Sequence, residues 1–136
     1  MIRLTLAVAI TGLLAGCSPK LSPDNSWGRD RWVVTELKGV PVQQSGNRKD
    51  AFLRFSTADK KISGNAGCNQ MNGSYTLETR SRIKFVDVAT TKMSCPDIAF
   101  ENTLLEVMRD VDRYETDGTQ LRLKDGSKTV IVLTAK

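Results

Sequence analysis

The sequence predicts a mainly β domain: about eight antiparallel strands in a barrel-like arrangement, with one α-helix inserted between the fifth and sixth strands. Three observations predict it. Short runs that alternate apolar and polar residues recur at close spacing, the mark of half-buried strands. Turn dipeptides ending in glycine lie between several of them. A single stretch instead carries its apolar residues at helical spacing.

The candidate strands are Arg31 to Leu37, Ala51 to Phe55, Lys61 to Asn65, Ser74 to Glu78, Arg82 to Phe85, Arg113 to Thr116, Gln120 to Leu123 and Thr129 to Thr134. In most of them one face is apolar and the other polar, with Leu53 and Phe55 set against Arg54, and Tyr75 and Leu77 against Thr76 and Glu78. Side chains alternate across a strand, so each segment can turn its apolar face inward. Asn72-Gly73, Asp117-Gly118 and Asp125-Gly126 read as turns, because glycine takes positive φ without a steric penalty and Asn or Asp tolerates it. In the exception, Pro96 to Asp110, Phe100, Leu104, Val107, Met108 and Val111 form a helical stripe. Ser94 or Cys95 suits its cap, Pro96 its first turn, and Asp97 and Glu101 its positive end. That stripe is expected to pack on the sheet or plug the barrel mouth; a partner-binding amphipathic helix is the alternative. Eight strands leave an interior that side chains fill or that holds one small ligand, and the apolar supply here is sufficient to fill it.

The domain is preceded by an address. Arg3 opens a short apolar stretch, Leu4 to Leu14, which ends in Leu14-Ala15-Gly16-Cys17. The layout is that of a signal peptide, too short for a spanning helix, and small residues directly before a cysteine resemble a bacterial lipobox. There the cysteine is acylated and becomes the new amino terminus; several acyl chains on one residue suffice for stable anchoring. An ordinary cleaved leader with an incidental cysteine is the alternative. We therefore divide the chain into a signal peptide (1–16), a lipidated tether (17–26) and a folded domain (27–136). The tether has two prolines and no apolar period. In a cell with two membranes, Ser18 after the anchor suits an outer-membrane lipoprotein facing the periplasm.

Without residues 1–16 the chain carries 19 basic and 15 acidic residues, a balance of +4. The positive charges are scattered along strand faces, as in Arg82-Ile83-Lys84-Phe85. They read first as a solvated face; such a face also suits anionic lipid or glycan near an anchor. With no basic run and no aromatic stacking platform, a nucleic-acid partner is not expected. Of the three cysteines, the anchor leaves Cys68 and Cys95, which in an exported chain most often pair as a disulfide; two free thiols are the alternative.

The chain has no histidine, so Ser-His-Asp and Cys-His catalysis is impossible and the commonest metal ligand is missing. Ser81 and Lys84 fall on opposite faces of one strand, and Glu101, Glu106, Asp110 and Asp112 are placed on or beside the wet side of the helix. No enzyme activity, cofactor or metal is expected. The unusual stretch is Ile62 to Tyr75, rich in glycine and asparagine, which reads as an excursion between two strands stapled through Cys68 to Cys95. The candidate binding surface is Asn65, Asn69, Gln70, Asn72, Thr91 and Met93, and we expect Asn69 and Gln70 to be replaceable without loss of the fold.

The pattern Gly64-x-x-Gly67-Cys68-Asn69-x-x-x-Gly73-x-Tyr75 resembles the META domain (HslJ-like) family. So does Thr91-x-Met93-x-Cys95 followed by Glu101 in a helix, as do the opening Trp32 to Leu37 with Gly39 and the closing Leu121-x-Leu123. The resemblance implies a barrel-like all-β domain with one helix, frequently carried on envelope lipoproteins and associated with stress and antibiotic tolerance. It implies no established molecular activity. The function expected is that of a lipid-anchored, non-catalytic envelope protein that binds an envelope protein or small ligand, or supports envelope integrity. An inhibitor of a secreted hydrolase such as lysozyme is the alternative.

Overall fold

Burial alternates along most of the chain as the sequence pattern requires: Leu53 and Phe55 are buried while Arg54 and Ser56 are exposed. The computed structural model describes residues 28, 31–46, 50–78 and 81–136; Cys17 and the tether lie outside them. Among the described residues there are nine strands: β1 (Trp32–Leu37), β2 (Val40–Pro41), β3 (Phe52–Ser56), β4 (Lys61–Asn65), β5 (Gln70–Glu78), β6 (Arg82–Thr90), β7 (Arg113–Thr116), β8 (Gln120–Asp125) and β9 (Lys128–Ala135). One helix, α1 (Ala99–Asp110), lies between β6 and β7.

From β3 onward each strand pairs antiparallel with the next, and β1 pairs with both β3 and β9, so the sheet closes into a ring. The added strand is β2, a two-residue partner on β1. Lys38 and Gly39 form its turn, both at positive φ, the geometry of a tight hairpin. Two residues are too few to show a period. The ring is thinnest between β6 and β7, which share the single pair Arg82↔Arg113.

The interior is filled by side chains, with Trp32, Phe55, Tyr75, Leu104, Leu123 and Ile131 among the largest fully buried ones. Phe55 meets Tyr75 edge-to-face, ring centroids 5.3 Å apart, and the Tyr75 hydroxyl donates to the Ser56 carbonyl at 3.1 Å. Burial of each large apolar side chain favours the fold by roughly 1.5–3 kcal/mol. The helix adds Leu104, Val107 and Met108 to this core, as its stripe predicts.

Four local expectations are corrected. Asn72-Gly73 is no turn; it lies inside β5, where Gly73 permits a close approach, since a Cβ there would stand 3.0 Å from Val88 Cα. The excursion between strands shrinks to residues 66–69, closed by Ala66 N–H donating to the Asn69 carbonyl at 2.9 Å. Leu77 is exposed, because β4 reaches β5 only as far as Ser74 and leaves the far end with β6 alone. The helix starts at Ala99 with Ile98 at its cap and no side-chain cap bond; Ser94 and Cys95 belong to the preceding loop, which Cys95 ties back to Cys68.

Candidate functional site

Asn69 ends the short loop between β4 and β5 and is buried together with Glu101 from the first turn of α1. Glu101 Oε2 accepts from the Asn69 backbone N–H and Oε1 from Asn69 Nδ2, each at 2.9 Å. Asn69 Oδ1 in turn accepts from Thr91 Oγ1 at 3.0 Å and from the Met93 backbone N–H at 2.7 Å. Thr91 Oγ1 also accepts from the Gln70 N–H at 3.1 Å. Cys68 and Cys95, Cα atoms 6.3 Å apart, are disulfide-bonded beside this cluster. A buried polar group is costly unless hydrogen-bonded, and here each group finds a partner: no buried side-chain N or O among the described residues is left unsatisfied. The knot joins the β4–β5 loop, the segment after β6 and the helix start.

Beside the knot, outward side chains of β3, β4 and β5 line a groove of about 550 Å³. The register builds it as two rows: Phe52 opposite Asn65 opposite Gln70, and Arg54 opposite Ser63 opposite Asn72. Arg31, just before β1, lays its guanidinium over the Phe52 ring at 4.1 Å from the centroid, and that of Arg54 lies 5.4 Å from the same centroid. An aromatic face attracts such cations through its quadrupole. Asp50 sits near Arg31; hydrogen bonds from Ser45 and Gly46 hold its carboxyl below the usual range, with the Arg31 charge adding to them. Asn65 Oδ1 accepts from the Gly67 N–H at 2.7 Å. Gly64 lies between the rows on the inner side, where a Cβ would come within 2.0 Å of the Phe52 carbonyl oxygen; only glycine lets β3 and β4 lie this close.

The META-domain family model matches residues 26–136. The chain belongs to the META-domain family. No curated protein matches it. Among solved structures, an NMR structure of a protein from Burkholderia xenovorans is 19% identical with a TM-score of 0.64, covering 100% of this chain and 99% of that one. A second NMR structure is 22% identical with a TM-score of 0.61, covering 80% of this chain and 91% of the other. A crystal structure of a duf4847 family protein from Bacteroides vulgatus ATCC 8482 is 15% identical with a TM-score of 0.56, covering 80% and 93%. At these identities the likeness is one of fold alone.

Within this META domain the six candidate surface residues divide. Asn65, Gln70 and Asn72 face the groove. Asn69 does not belong to a surface at all: it is 2% exposed, with its side chain committed to Glu101, Thr91 and Met93. Thr91 serves the knot from an exposed position, and Met93 gives it a backbone N–H while the residue as a whole is 61% exposed. Glu101 is likewise corrected. It is buried, 3% exposed, whereas Glu106 and Asp110 are on the wet side as expected. Arg31, Phe52, Arg54 and Ser63 were not anticipated as site residues. The signal for two of them was legible in Phe52-x-Arg54, which places both on one strand face; their meeting with β4 and β5 depends on register. Among the described residues no group of three or more His, Cys, Asp or Glu side chains is placed to hold a metal ion.

Proposed function

We propose that this META-domain protein is a lipid-anchored, non-catalytic binding module of the bacterial envelope that works through the outer face of β3, β4 and β5. The observation that carries the binding role is a division of labour among neighbouring polar residues. Asn69 and Thr91 are consumed by the knot, while Arg54, Ser63, Gln70 and Asn72 line the groove and make no side-chain hydrogen bond among the described residues. Polar groups held on rigid strands and not spent inside the fold are available to a ligand. The knot and the disulfide fix the β4–β5 loop beside that face, and a role under envelope stress accords with a domain stapled in this way.

The address rests on Leu14-Ala15-Gly16-Cys17, and the outer membrane, facing the periplasm, is the placement that Ser18 favours. The experiment is intact mass of the membrane-extracted protein, with thiol alkylation before and after reduction. Acyl mass, palmitate-type chains included, on a chain beginning at Cys17 supports the anchored module, with Cys68 and Cys95 alkylated only after reduction. A chain without acyl mass sinks the anchored reading, and two thiols alkylated without reduction sink the stapled one.

A further inference from the structure

We infer that the groove over β3, β4 and β5 binds an acidic oligosaccharide, a short glycan carrying a carboxylate; this rests on the reading of that face as an envelope binding surface. A polyhydroxylated ligand needs donors and acceptors together. The side-chain amides of Gln70 and Asn72 supply both, and the Ser63 hydroxyl supplies both again. Register fixes their positions: Ser63 stands opposite Asn72, and Asn65 opposite Gln70. Neighbouring strands lie about 4.8 Å apart and outward residues repeat about every 7 Å along a strand, a spacing on the scale of one sugar ring. The volume falls within the range of small-ligand sites, roughly 300–1,000 Å³, and the groove is open enough for an extended ligand to lie across it.

The charge specifies the acid. Two guanidiniums, Arg31 and Arg54, converge on the Phe52 ring at one side of the groove, and among the described residues no aspartate or glutamate lines it. Stacking on the ring limits how the guanidiniums can turn; Arg31 adds positive charge, and the planar fork of Arg54 matches a carboxylate better than a neutral hydroxyl. The same stacking argues against a nucleic acid, because the aromatic ring facing the groove is already occupied by cations and offers no base platform.

The test is isothermal titration of the purified full-length protein in detergent. The probes are an N-acetylglucosamine–N-acetylmuramic acid disaccharide, digalacturonic acid, chitobiose as the uncharged analogue, and acetate as the bare carboxylate. Saturable binding of either acidic disaccharide, at least tenfold tighter than chitobiose and acetate, is expected, and the preference between the two identifies a cell-wall or a uronic-acid source. Arg54→Gln should weaken that binding tenfold or more and Gln70→Ala with Asn72→Ala at least fivefold. All three residues are exposed, so thermal melts should stay at the wild-type position. No saturable binding, equal affinity for chitobiose or acetate, or binding indifferent to Arg54→Gln would overturn the inference. Acyl mass is read on the same preparation: an acylated protein that ignores acidic glycans overturns the ligand alone, whereas a protein without acyl mass refutes the anchor whatever the groove binds.

Discussion

Asn69 donates two hydrogen bonds of 2.9 Å to Glu101, 32 residues away, in the interior and so fastens the β4–β5 loop to the start of the helix. The arrangement is reciprocal in its demands. Without Glu101 the Asn69 N–H and Nδ2 lose their acceptor; without Asn69 the carboxylate loses both donors and the Thr91 and Met93 donors lose Oδ1.

Glu101→Ala is therefore expected to destabilise the domain by roughly 2–5 kcal/mol, since each buried polar group left unsatisfied costs about 1–3 kcal/mol. Asn69→Ala should be comparable, and the double variant should lose less than the two combined, with a coupling of about 1–3 kcal/mol. Urea unfolding of the four proteins checks this, with equal slopes as the condition for comparing midpoints. Additive losses would mean that the two residues stabilise the fold independently.

The disulfide closes a loop of 27 residues' separation between Cys68 and Cys95. On the chain-entropy account a cross-link of that span contributes about 3.5 kcal/mol. Replacing both cysteines by serine should lower stability by that order while leaving the Asn69–Glu101 bonds as the remaining tie to the helix. Far-ultraviolet circular dichroism should keep its native shape, and the urea midpoint should fall. An unchanged midpoint would show that the knot alone fixes the loop.

Gly64→Ala tests the close approach of β3 and β4. The added Cβ would fall 2.0 Å from the Phe52 carbonyl oxygen and 3.2 Å from Leu53 Cα, and backbone cannot yield as a flexible side chain can. Overpacking typically costs about 1–3 kcal/mol and sometimes more; the upper end or a failure to fold is expected here. Because the same strands carry Phe52 and Arg54, any folded Gly64→Ala protein should also bind its groove ligand more weakly. A thermal melt within a degree or two of wild type would refute the contact.

Alternation and helical spacing are local properties, and the elements that depend on them were legible: the seven longer strand segments after β1, the helix stripe and the two aspartate–glycine hairpins follow from residues that can be read in place. What was hidden depends on partners distant in sequence. Asn72-Gly73 has the chemistry of a turn, yet β5 runs through it because Val88 comes close at that point. Glu101 has the chemistry of a solvated first-turn acid, yet the Asn69 donors 32 residues earlier draw it inside. Asn65, Gln70 and Asn72 were legible as polar candidates, while Arg54 joins them through the registers of β3, β4 and β5 and Arg31 through the pairing of β1 with β3. The resemblance to the META domain named the motif that holds the knot without revealing that its asparagine is structural. Predicting a surface from the glycine- and asparagine-rich composition of the loop placed Asn69 on the wrong side.

The last prediction concerns acid. Asp117 Oδ1 accepts from the Thr119 N–H at 2.9 Å, Thr119 Oγ1 at 2.8 Å and the Gln120 N–H at 2.7 Å. Those bonds, Gln120 foremost, lower its pKa from 3.8 to about 2. A carboxyl whose pKa is lower folded than unfolded binds fewer protons in the native state, so its contribution is complete above about pH 4 and vanishes as pH falls through about 2. Asp117→Asn keeps an acceptor oxygen in place and removes the titration. Asp50, Asp59 and Glu115, whose carboxyls are also held below their usual range, remain in both proteins and cancel in the comparison. Melting temperature recorded from pH 7 to pH 2 should show wild type above the variant at neutral pH, with the gap closing between about pH 4 and pH 2. Parallel curves throughout would show that the hydrogen bonds at this turn do not distinguish carboxylate from amide.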